Sequence, residues 1–78
     1  MDLRGLRLAM EREGMRQDAV HSSHLEPSES FVICERDGRW IVYYAERGER
    51  TNLQTFTTEA DACDYLLQKL RDDPTTRR

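Results

Sequence analysis

The side chains with the most reactive chemistry in this sequence are His21, His24, Cys34 and Cys63. Two imidazoles and two thiols can in principle hold a zinc ion, which takes nitrogen and sulfur donors in fours. The spacing is not that of a structural zinc site. His21 and His24 fall in a loop, and the two cysteines come from a strand and from the apolar stripe of a helix. The expectation is therefore two buried thiols that behave as small apolar groups, with no metal and no other cofactor. A disulfide between them is disfavoured in a reducing compartment.

The remaining catalytic patterns are no stronger. Ser22 and Ser23 neighbour the histidines, but adjacency in sequence does not supply the geometry of a nucleophile and its base, and there is no Gly-x-Ser-x-Gly context. The carboxylate pairs Glu11 with Glu13 and Asp72 with Asp73 read as solvated faces. The four glycines are isolated, so no phosphate-cradling loop is present. A chain of 78 residues rarely encloses the roughly 300 Å³ that a small ligand needs. The reading is of a protein without a catalytic site.

What remains is contact chemistry. Trp40, Tyr43 and Tyr44 cluster in one segment, followed by Arg47, Glu49 and Arg50. Aromatic side chains anchor protein interfaces, and charged residues commonly form the rim around them. These six are the candidate partner-binding residues.

The elements that must position them follow from periodicity. Leu3, Leu6 and Met10 recur at helical spacing behind a possible Asp2 cap, and Gly14 is placed to end that helix with Met15 folding back. Arg7 is spaced to pair with Glu11 one turn on. Residues 16–30 carry turn chemistry without a period and read as a long connector. Phe31-Val32-Ile33-Cys34 and Trp40-Ile41-Val42-Tyr43-Tyr44 are β-prone runs on either side of Asp37-Gly38, a two-residue hairpin turn. That turn sets the register: Arg36 opposes Arg39, Cys34 opposes Ile41, and Val32 opposes Tyr43. Phe31, Ile33, Val42 and Tyr44 then share one face; Val32, Cys34, Ile41 and Tyr43 share the other. A second turn around Gly48 leads to a polar edge strand at 51–56. Thr57 or Thr58 caps a last helix whose stripe is Ala62, Cys63, Leu66, Leu67 and Leu70.

The expected fold is α+β: a three-stranded antiparallel meander between an N-terminal and a C-terminal helix, one domain over 1–72 with a flexible tail at 73–78. Two short helices are expected to leave one sheet face open, showing either Trp40, Val42 and Tyr44 or Ile41 and Tyr43. Such a patch calls for a partner. A formal charge of −3 opposes general binding to nucleic acids or anionic membranes. No run approaches the roughly 20 apolar residues of a membrane span. The N-terminal residues do not resemble a signal peptide, so the expected location is the cytoplasm.

Two resemblances arise along 38–67. Gly38-Arg39-Trp40-Ile41-Val42-Tyr43, with Phe56-Thr57-Thr58-Glu59-Ala60 and Ala62, resembles the β-β-β-α modules of plant APETALA-type domains and phage-integrase arm-binding domains. The added first helix is similar to the topology of double-stranded-RNA-binding domains. This resemblance implies a nucleic-acid-binding module. The departure from it is electrostatic: Glu59, Asp61 and Asp64 open the last helix where those families attract phosphate. The stretch from Arg39 to Gly48, with Phe56 and Glu59 to Leu67, resembles a family of small, mostly uncharacterised bacterial proteins, chiefly actinobacterial. Some of these are similar to immunity proteins encoded beside secreted toxins. That resemblance implies a cytoplasmic protein that binds and blocks a cognate toxin. A structural or dimerisation domain, monomeric or homodimeric, is the third reading.

Overall fold

A computed structural model describes residues 1–22 and 29–76. It is an α+β arrangement in the order α1 (Leu3–Arg12), β1 (Val20–His21), β2 (Ser30–Arg36), β3 (Arg39–Glu46), β4 (Glu49–Phe56) and α2 (Glu59–Asp72). Short 3-10 turns at Gln17–Ala19 and Pro74–Thr76 precede β1 and follow α2.

Local chemistry explains both helices. The Asp2 carboxylate accepts from the Gly5 amide at 2.8 Å and starts α1. Gly14, at φ +72°, ends it. The amides of Gly14 and Met15 turn back to the carbonyls of Glu11 and Met10, a Schellman closure that satisfies two otherwise orphaned acceptors. Thr58 accepts from the Asp61 amide at 3.1 Å and starts α2. Arg7 does not pair with Glu11. Its guanidinium donates to the carbonyls of Gln17 at 2.7 Å and Val20 at 2.9 Å, tying α1 to the chain that enters β1. Half-buried, the fork gains more from two carbonyls that need donors than from an exposed carboxylate already served by water.

The β2–β3 hairpin has the expected register, from Arg36 opposite Arg39 to Phe31 opposite Tyr44. Asp37 at φ +54° and Gly38 at φ +77° form the two-residue turn. Arg47 at φ +50° and Gly48 at φ +80° form a second one, so Glu46 opposes Glu49 and β4 starts two residues earlier than expected.

The sheet differs from the expected meander in one respect. It has four strands in the order β1-β2-β3-β4, and β1 pairs parallel to β2 through Val20 with Phe31 and His21 with Val32. Part of the expected connector is thus a strand. Two residues carry no readable period, which is why it was invisible in the sequence. His24 and Ser23 lie outside the described residues.

α1 and α2 pack on one sheet face. Leu6, Met10 and Met15 meet Ile33, Val42, Leu66 and Leu70 there, all fully buried or nearly so. One face or the other was expected to be left open, and the face away from the helices is the remaining candidate. It is not open: Val32, Cys34, Ile41, Tyr43 and Ala45 form a second buried cluster, none of them more than 9% exposed. The chain beyond α2 packs as well. Thr76, placed by sequence in a flexible tail, is 2% exposed. Its carbonyl accepts from the Arg16 amide at 2.6 Å and its hydroxyl donates to the Leu70 carbonyl at 2.8 Å. Among the described residues no helix is long and apolar enough to cross a membrane.

Candidate interaction surface

The six candidate residues do not form one patch. Tyr43 is 2% exposed, with the Arg50 guanidinium 5.0 Å above its ring, so it cannot present an aromatic anchor. Strand alternation explains this: Tyr43 points to the second cluster and Tyr44 to the helix-covered face. Trp40 lies on the same face as Tyr44 but four residues away, about 13 Å along the strand, and is half-buried against the main core. Arg47, Glu49 and Arg50 are exposed in the β3–β4 turn and the start of β4.

Tyr44 opens onto a cavity. A cleft of about 280 Å³ lies between the strand ends and the C-terminal turn of α2, lined by Phe31, Tyr44, Thr51, Asn52, Lys69, Asp72 and Asp73. Phe31 and Tyr44, cross-strand partners, form its floor as an edge-to-face pair with centroids 5.0 Å apart. Asn52 enters the wall because of a β-bulge. Val42 opposes Gln54 and Tyr44 opposes Thr51, leaving Asn52 and Leu53 together opposite Tyr43, with Asn52 at φ +55°. Thr51 donates its hydroxyl to the Tyr44 carbonyl at 3.3 Å and holds the wall to the floor.

The cleft is acidic at its helical rim. Burial raises the Tyr44 phenol above its ordinary pKa, and Glu46, Glu29 and Asp73 raise it further against the opposing Arg16. Asp73 is fixed by accepting from the Thr75 amide and hydroxyl at 3.0 and 2.7 Å. Lys69 holds its ammonium 5.5 Å from the Tyr65 ring centroid, one helical turn before the carboxylates.

Sequence reasoning found Tyr44 and placed Phe31 on its face. It read Asp72 and Asp73 as a solvated pair, which holds for the exposed Asp72 although both line the cleft, and it missed Thr51, Asn52 and Lys69. Thr51 and Asn52 lie in a strand that is polar along most of its length, so nothing in the sequence set them apart.

The remaining reactive side chains lie outside the cleft lining. Cys34 and Cys63 are free and buried in different clusters on opposite faces of the sheet. Burial, then Glu59, pushes the Cys63 thiol up to about 11, and burial also raises that of Cys34 against Arg36 and Arg50. Both shifts oppose thiolate formation. Nδ1 of His21 and the Ser30 hydroxyl are buried without a hydrogen-bond partner among the described residues. No group of three or more His, Cys, Asp or Glu side chains able to hold a metal ion occurs among the described residues.

Comparison with protein-family models, with curated proteins and with solved structures finds no match to this chain.

Proposed function

We propose that this protein is a non-catalytic protein-binding module of the toxin-neutralising immunity type, and that it docks its partner over the Phe31–Tyr44 cleft and the adjoining β3–β4 hairpin. The observation that carries this reading is the cleft: two aromatic rings at the bottom of a solvent-open recess, with charged side chains around it. Interfaces concentrate their energy where a partner side chain enters such a recess and the rim excludes water. Beside it β4 is exposed over nearly its whole length, and Leu53 at 44% exposure adds apolar area. Arg47 and Glu49, exposed in the adjoining turn, supply the rim, while Arg50 sits over Tyr43 on the other sheet face. The immunity reading, and with it a cytoplasmic location, rests on the resemblance carried by residues 39–48 and 56–67.

The nucleic-acid reading has less support. Glu59 and Asp61 occupy the first turn of α2, and Thr58 already caps it, so that helix end repels phosphate. Titration with mixed duplex DNA and RNA at low salt separates the two readings, because phosphate binding has a steep salt slope.

The direct test is affinity purification from the native host, followed by calorimetry with the recovered partner. Tyr44→Ala should weaken binding by about 2 kcal/mol or more, roughly 30-fold. Thr51→Trp, which fills the mouth of the cleft from an exposed strand position, should do the same without touching the core. Failure to recover a stoichiometric partner, or affinities unchanged in both variants, contradicts the proposal.

A further inference from the structure

The cleft also specifies what enters it. We infer that it is a socket for an arginine side chain of the protein partner, held between the Phe31–Tyr44 floor and the Asp72–Asp73 rim. The inference rests on the protein-binding reading and names the chemistry of its central contact.

Size limits the occupant first. At about 280 Å³ the cleft lies at the lower edge of the range of small-ligand pockets. It suits one inserted side chain. Charge limits it next. Asp72 and Asp73 line the recess, and Glu29 and Glu46 act on the same phenol. Of the nearby cations, Lys69 lines the same recess with its ammonium 5.5 Å from the Tyr65 ring centroid, so its charge offsets one of the two carboxylates, and Arg16 is bound to Asp18 at 2.8 Å and to the Thr75 carbonyl at 3.1 Å. An anion would meet net repulsion here, and a neutral apolar group would bury the rim carboxylates without compensation.

Shape then selects among cations. A guanidinium is planar, stacks on aromatic faces and presents paired donors to a carboxylate, while an ammonium is a compact, strongly hydrated point charge. The arrangement offers both kinds of group an arginine uses: aromatic rings and carboxylates in one lining. An overall charge of −3 further favours a basic partner surface.

The test uses the isolated protein and N-acetyl-arginine amide, followed by ¹H–¹⁵N correlation spectra. Saturable shifts are expected at Tyr44, Thr51, Asn52 and Asp72, with affinity in about the millimolar range for a fragment this small. The citrulline analogue, which keeps the shape and loses the charge, should bind at least about five-fold more weakly. Asp72→Asn should weaken the arginine probe to a similar degree, and this exposed substitution at a helix C-terminus does not threaten folding. Absence of saturable shifts, equal binding of the citrulline analogue, or an unaltered response in Asp72→Asn overturns the socket. Because no partner is needed, the two proposals fail separately. If Tyr44→Ala abolishes partner binding while the arginine probe does not bind, only the socket falls.

Discussion

Cys63 is fully enclosed in the main core, and its environment has a consequence for stability. The folded thiol titrates at about 11, whereas an unfolded thiol titrates near its ordinary value of about 8.5–9. Between those values the unfolded chain has lost a proton that the native chain retains. Stability contributed by the neutral thiol is therefore fully present below about pH 8.5 and is lost as pH rises toward 11. The loss is on the order of 3 kcal/mol. Urea melts of the native protein and of Cys63→Ala, compared at pH 7.5 and pH 10.5, should show the native protein losing more stability than the variant. Equal losses would mean that burial does not hold the thiol neutral. At this scale the sequence was informative about type and less so about role. The apolar stripe containing Cys63 was readable, but the direction of Arg7 was not. Its partners are backbone carbonyls ten and thirteen residues away, and no side-chain spacing encodes them.

Elements were legible where a turn fixes them. Asp37-Gly38 set the β2–β3 register because both positions need positive φ, and that register put Phe31 and Tyr44 on one face. The β3–β4 turn works the same way, with Gly48 at φ +80°. Gly48→Ala should cost about 1 kcal/mol in a thermal or urea melt although a Cβ there meets nothing within 4 Å, so the whole effect is backbone strain. A neutral result would show that the turn can relax. Elements were illegible where pairing is short or nonlocal. β1 pairs through only two residues. The Pro74–Thr76 turn is held by Arg16, nearly sixty positions earlier. The cleft itself required knowing that the last turn of α2 ends above Tyr44, and helix periodicity says which face is apolar but not where its end comes to lie.

The two central strands, β2 and β3, are buried on both faces, which removes the simplest reason for expecting a partner. The helix face is filled by α1 and α2, and on the second face Tyr43 and Ile41 are buried. The case for docking therefore shifts from surplus apolar area to a particular recess and the exposed strand beside it. The bulge at Asn52–Leu53 serves this arrangement twice. It turns Asn52 into the cleft wall, and it interrupts the outer edge of β4, which discourages indiscriminate strand pairing between copies. Hydrogen–deuterium exchange on the complex with the captured partner tests this most directly. Slowed exchange at Tyr44, residues 47–53 and the end of α2 from Lys69 to Asp73 is the predicted footprint. Protection confined to α1 or to the start of α2, with the cleft exchanging as in the free protein, would contradict it.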